Sequence, residues 1–190
     1  MPRKPPREDV AYALFSTSLG DCGIAWTSVG LVGFQLPDVS SEATRARFSA
    51  VIGGSELAPP PWVAEAIARV GRLLEGHDED LSSLPLDLQR APPFFRRVYE
   101  ATRTIPRGRV WTYTALAAAA GSPGATRAVG QAMARNPLPL IVPCHRVVAS
   151  GGKPGGFSAP GGLDTKARLL AIEGAHALTQ LSLKTRPTAS

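Results

Sequence analysis

The sequence predicts an α+β protein of two modules, a small N-terminal α/β unit followed by a mostly helical unit with a helix-turn-helix pattern. Three observations carry that expectation. Short β-branched and aromatic runs broken by Gly and Pro fill the first forty residues, and helical periodicity takes over after them. The stretch GHDEDLSSLPLDLQRAPP, beginning at Gly76, is rich in acids, serines and prolines and reads as a linker. The charge divides there too. Residues 1–89 hold 7 Lys and Arg against 12 Asp and Glu, a net of −5, whereas residues 90–190 hold 14 against 3, a net of +11.

Residues 1–9 read as a disordered tail. VAYALFSTSLG, CGIAWTSVG and LVGFQLP read as three strands of an antiparallel meander. SSEATRARFSAVIG opens on serine and acid and closes at Gly53, a helix. PPPWVAEAIARVGRLLEG opens on proline and stops at Gly76; Trp62, Val63, Ala66, Ile67, Val70, Leu73 and Leu74 form one stripe along it. The linker closes the first module, 10–89, and the second spans 90–176. In PPFFRRVYEATRTIP, Phe94, Phe95, Val98 and Ile105 face a core while Arg96, Arg97, Arg103 and Arg107 do not. An Ala-rich helix, TYTALAAAAGS, stops at Gly121, and a second helix runs from about Ala125 to Arg135 before an Asn-Pro break. The apolar run PLIVPCHRVV reads as strand-like around a turn at Pro143, ASGGKPGGFSAPGG is loop, and GLDTKARLLAIEG is a final helix stopped by Gly174. Residues 177–190 read as a second tail.

Composition narrows the function. No apolar run approaches a membrane span, and no apolar stretch follows the basic N-terminus as a secretory signal requires, so a soluble cytoplasmic protein without membrane association is expected. Two cysteines, Cys22 and Cys144, are too few for a disulfide framework, and with His77, His145 and His176 scattered no metal site is expected. The basic second half suits an anionic partner such as nucleic acid, or is a solvated basic surface. Two short helices around Gly-Ser-Pro are a helix-turn-helix pattern or a plain helical hairpin. On the second, Val129, Ala132 and Met133 suit packing, Ala128 and Ala132 are small, and Arg127 stands at the N-terminal end, as a base-contacting residue or a surface charge.

Cys144 is the residue that most needs explaining. A thiol attacks as thiolate, which requires a base or a positive environment. His145 and Arg146 follow it, but neighbours in a regular strand point to opposite faces. The pair therefore needs a turn, for which Pro143 is suited, or a bridging water. His145 needs an orienting carboxylate, and Glu173 is the best placed of the three acids in this half, Glu100, Asp164 and Glu173. The other reading of Cys144, and the one sufficient for Cys22, is a small buried hydrophobe.

Taken together, IVPCHRVV, the preceding YTALAAAAGSPGATRAVGQAMARNP and the following GGLDTKARLLAIEG resemble the O6-alkylguanine-DNA alkyltransferases, with a match nearly unbroken from Phe94 to Gly174. The resemblance implies a ribonuclease-H-like N-terminal domain and a winged helix-turn-helix-like alkyltransferase domain. It implies DNA repair by irreversible, stoichiometric transfer of an alkyl group from O6-alkylguanine, with O4-alkylthymine as the alternative lesion, to Cys144. No cofactor is implied. The partner would be double-stranded DNA bearing an alkylated base, held through its minor groove by a monomer, with the base flipped out. His145 would deprotonate Cys144 through a water, Glu173 would orient His145, and Asn136 would brace the turn. Tyr113 would crowd the target phosphate and Arg127 would fill the gap in the stack, with Thr126, Ala128 and Arg135 also at the DNA. Met133, Val147, Phe157, Ser158 and Lys166 would form the substrate pocket. One departure stands out. Phe157 occupies the place of a tyrosine thought to donate a hydrogen bond to the departing guanine oxygen, and it has no hydroxyl. The loop is also longer, with Pro160 in it. Three rival readings are a lesion sensor, which would lack the acceptor cysteine, a Cys-His hydrolase and a transcription regulator.

Overall fold

The computed structural model describes residues 9–175; most of the N-terminal tail and the whole C-terminal tail lie outside them. The chain is α+β. Its first half forms a four-stranded sheet in the order β3-β2-β1-β4: β1 (Ala11–Thr17), β2 (Gly20–Trp26) and β3 (Leu31–Gln35) are the expected antiparallel meander, and the two-residue β4 (Ser55–Glu56) pairs parallel to β1. Nothing in the sequence marks a strand of that length.

Helix α1 (Ser41–Ile52) starts where Ser40 accepts the amide of Ala43 and ends where Gly53 takes a left-handed conformation, as its sequence predicts. It covers one face of the sheet. Gly23 and Gly33 make this possible, because a Cβ at Gly23 would stand 2.3 Å from the Phe48 ring and one at Gly33 would stand 2.4 Å from Ile52. Helix α2 (Pro61–Leu74) covers the opposite face with Val63, Ala66, Val70, Leu73 and Leu74 of the expected stripe. Cys22 is fully buried there as a small hydrophobe.

The expected linker is fastened down. Leu81 and Leu84 are buried, and Leu31 exchanges backbone hydrogen bonds with Pro85 and Asp87 beside the β3 edge. Two arginines expected to face away from the core hold the segment. Arg103 donates to the carbonyls of Ser82 and Leu84, and Arg107 to those of Gly76, His77 and Ile172. Arg107 thus spans the C-terminal ends of two helices, where unpaired carbonyls and the helix dipoles favour a cation. Buried side chains of both halves join one contiguous cluster, from Ile24 and Leu73 to Ile105, Leu116 and Leu169. Each large aliphatic side chain buried this way contributes about 1.5–3 kcal/mol relative to exposure.

The second half is built on α3 (Pro93–Arg103), α4 (Tyr113–Ala119), α5 (Thr126–Ala134) and α6 (Gly162–Ile172). On α3 the sequence reading missed Tyr99, which is buried and whose hydroxyl donates to the carbonyls of Ala132 and Arg135 at the end of α5. Thr112 caps α4, and Gly121 and Gly124 make the left-handed turn into α5. A short parallel pair, β5 (Trp111–Thr112) with β6 (Val147–Val148), ties the start of α4 to the chain just beyond Cys144.

Candidate active site

The run around Cys144 is not a strand. Leu140 takes a left-handed φ of 77°, Val142 N donates to Leu138 O, and Cys144 N donates to Val142 O at 2.7 Å across an inverse γ-turn at Pro143 (φ −76°, ψ 65°). Cys144–Arg146 then form one turn of 3₁₀ helix, closed by Arg146 N to Pro143 O at 2.9 Å. The expectation of a strand fails because Asn136 outweighs the β-propensity of Leu, Ile and Val. Its amide donates to Val142 O at 2.8 Å and its carbonyl accepts Leu138 N at 3.0 Å, which folds the segment back on itself. The turn at Pro143 that the sequence required is present, and Cys144 and His145 therefore leave the two-face alternation of a regular strand.

Behind the thiol stands a buried charge cluster. His145 Nε2 lies 2.9 Å from Glu173 Oε1, and both side chains are fully buried. Arg146, which the sequence suggested only as a source of positive charge, grips the same carboxylate: Nε donates to Oε2 at 2.9 Å and Nη2 to Oε1 at 2.8 Å, while Nη1 donates to Ile105 O at 2.6 Å. Burial raises the Glu173 pKa, but His145 and Arg146 outweigh it and hold the carboxyl down at about 2. Burial and the neighbouring Arg146 and Lys166 charges push the imidazole below its ordinary value against the pull of Glu173, so it is neutral at pH 7. With an anionic carboxylate at Nε2, the ring proton belongs on Nε2, where it donates to Glu173, and the lone pair belongs on Nδ1. Among the described residues nothing hydrogen-bonds Nδ1. Burial raises the Cys144 thiol, and an Asn136 hydrogen bond and the Lys166 charge only partly oppose it. The resting side chain is a thiol next to a neutral base.

Cys144 opens on a cavity of about 180 Å³ lined by Tyr113, Gly130, Met133, Ala134, Phe157 and Ser158, with Gly156 beside them. Met133, Phe157 and Ser158 line the pocket the sequence reading put them in, and Tyr113, expected at the DNA phosphate, lines the same cavity. Val147 and Lys166, expected in the pocket, do not line it. Val147 is fully buried, and its carbonyl accepts from Lys166 Nζ at 2.5 Å. Lys166 also donates to Pro154 O at 2.6 Å and Gly156 O at 3.4 Å, so it ties the glycine-rich loop to the site turn; burial lowers its pKa to about 8. Gly155 has a left-handed φ of 70°, and a Cβ there would lie 2.9 Å from the Tyr113 ring, so this glycine lets the loop close against Tyr113. Arg127 and Arg135 are exposed at the two ends of α5, with Thr126 and Ala128 half-buried on either side of Arg127. The sequence reading missed Gly130, Ala134 and Gly156 in the wall; Gly130 was legible from Met133 three positions on, and Ala134 lies four positions beyond Gly130 on the same helix face. Among the described residues no cluster of three His, Cys, Asp or Glu could hold a metal ion.

Fold and site together define a cysteine-dependent group acceptor, with one buried thiol at the end of a narrow cavity and a neutral imidazole and fixed carboxylate behind it. Residues 93–175 match the family model described as 6-O-methylguanine DNA methyltransferase, DNA binding domain. A methylated-DNA–protein-cysteine methyltransferase of Mycolicibacterium paratuberculosis is 35% identical over 174 residues, covering 92% of this chain and 98% of the relative. One from Methanothermobacter thermautotrophicus is 32% identical, covering 81% of this chain and 80% of the relative. The solved structure of Mycobacterium tuberculosis OGT in complex with DNA superposes with a TM-score of 0.69 at 30% identity, over 92% of this chain and 99% of that one. The chain belongs to the methylated-DNA–protein-cysteine methyltransferase family.

Proposed function

We propose that the chain repairs DNA by taking an alkyl group from O6-alkylguanine onto Cys144, once per molecule. The observation that carries this is the buried Cys144 thiol in its cavity, backed by the His145–Glu173 pair at 2.9 Å. His145 Nδ1 takes the thiol proton through a water, and Glu173 stabilises the imidazolium that forms. The thiolate attacks the alkyl carbon in line with its bond to O6. The S–C bond forms, the C–O6 bond breaks with its electrons going to guanine, and the proton held at His145 returns to the purine through solvent. The products are guanine and a thioether, which offers no route back to thiol and so no second turnover.

The alkylated oxygen lies inside the duplex, so the base must be extruded into the cavity. Arg127, exposed at the start of α5, is suited to fill the gap, with Thr126, Ala128 and Arg135 along the same helix and Tyr113 at the cavity mouth. Small residues on α5 favour the minor groove, and the charge of the second half favours phosphate contacts whose affinity falls with salt. Met133, Phe157 and Ser158 enclose the base, while Val147 and Lys166 support it through the loop. The strand order with a parallel β4 supports a ribonuclease-H-like first domain, 10–89. The helical pair with the β5–β6 ribbon supports a winged helix-turn-helix-like second domain, 90–176, and the family match begins at residue 93. Two unpaired, buried cysteines fit the reducing cytoplasm, where the chain acts as a monomer in this reading. The test is transfer of a labelled methyl group from O6-methylguanine duplex to protein. Label should plateau at one per molecule and be absent with Cys144→Ala; continued turnover would exclude the reading.

A further inference from the structure

We infer that Gly130 is a specificity-determining residue, whose missing side chain keeps the mouth of the Cys144 cavity clear for the sugar and phosphates of an extruded nucleotide. The inference rests on the DNA-transfer reading above. Gly130 stands in the middle of α5, where glycine is the least favourable residue after proline. Its backbone does not require glycine, since its φ is not among the positive ones. Packing does not require it either, since a Cβ there would meet nothing within 4 Å, in contrast to Gly23 under Phe48. Gly71 in α2 is a second helical glycine with open space where its Cβ would be, but it lines no part of the cavity. Gly130 does, on the same helix face as Met133 and Ala134.

The placement gives that open space a use. Met133 is buried, whereas Ala134 is exposed and Gly130 half-buried, so the cavity passes from floor to rim along this face of α5. At about 180 Å³ it is smaller than the ~300–1,000 Å³ of ordinary small-molecule sites. It holds a base and leaves the sugar and its phosphates at the rim, between α5 and Tyr113. A methyl group at position 130 projects into that passage and meets no protein atom that could hold it elsewhere.

The experiment compares Gly130→Ala and Gly71→Ala in the full chain, by thermal melting and by single-turnover methyl transfer from O6-methylguanine in duplex and as the free base. Both variants should gain about 2–4 °C in Tm from helix propensity. In Gly130→Ala the ratio of duplex to free-base rate should fall at least ~10-fold, the discrimination one methyl group gives in a tight site; in Gly71→Ala it should stay at the wild-type value. An unchanged ratio in Gly130→Ala, an equal loss on both substrates, or a fall in its Tm would overturn the inference. Absence of transfer by the wild-type chain would instead overturn the functional reading, and this inference with it.

Discussion

Arg146→Met removes the cation that grips Glu173 while keeping most of the side chain's apolar bulk. Three hydrogen bonds go with it, two to Glu173 and one to Ile105 O. Removing one member of a buried ion pair costs about 3–5 kcal/mol, because the remaining charge is left uncompensated. His145 still bonds Glu173, so the lower end applies, about 3 kcal/mol. At about 2–4 °C per kcal/mol for a chain of this size, Tm should fall by about 6–12 °C. A purely structural role would stop there, but the cluster predicts a second effect. The Arg146 charge helps push the His145 pKa down and competes for the carboxylate. Without it, Glu173 acts on the imidazole alone and His145 protonates more readily. The acid limb of the transfer rate should then move to higher pH, and Arg146→Lys should restore part of that shift. The assay is single-turnover methyl transfer across pH at a temperature where the variant is folded. A Tm within about 2 °C of wild type together with an unmoved acid limb would refute the reasoning.

Further expectations follow from the same geometry. Glu173 is held at about 2 against an ordinary 4.5, and a depressed carboxyl stabilises the fold above its unfolded value and loses that contribution as pH falls through the folded one; with the neutral His145 beside it also resisting protonation below pH 6.5, the pair should lose stability progressively from pH 6.5 down to about 2. Chemical denaturation across pH checks this, and Glu173→Gln should flatten the lower part of the curve. Asn136→Ala breaks both bonds that fold the site turn and should cost about 1–3 kcal/mol with a larger proportional loss of transfer rate; stability and rate measured on one preparation would separate the two. Phe157 lines the cavity without a hydroxyl, so Phe157→Tyr should change the single-turnover rate by supplying a donor for the departing oxygen; equal rates would sink that idea.

What the sequence made legible depended on locality. Caps and stops at Ser40, Gly53, Thr112 and Gly121 act within a few residues, and the helices begin and end at them. The pairing of His145 with Glu173, 28 residues apart, was legible because the second half holds only three acids and one terminates its last helix. The turn at Pro143 was legible too, but the folded-back path leading into it was not, since Leu-Ile-Val favours a strand and the two hydrogen bonds of Asn136 overrule it. The arginines were least legible. Arg103, Arg107 and Arg146 read as surface or local charge, yet all three bond carbonyls or carboxylates far along the chain. An arginine's destination depends on where unpaired acceptors such as Ile105 O and Ile172 O come to lie, which no local pattern encodes.

The central claim is that Cys144 is the one acceptor. Intact-protein and peptide mass measurement after incubation with excess O6-methylguanine duplex tests it most directly. A single added methylene is expected, confined to the peptide containing Cys144, with the buried Cys22 of β2 unmodified. A second addition, or modification at any residue other than Cys144, would contradict it.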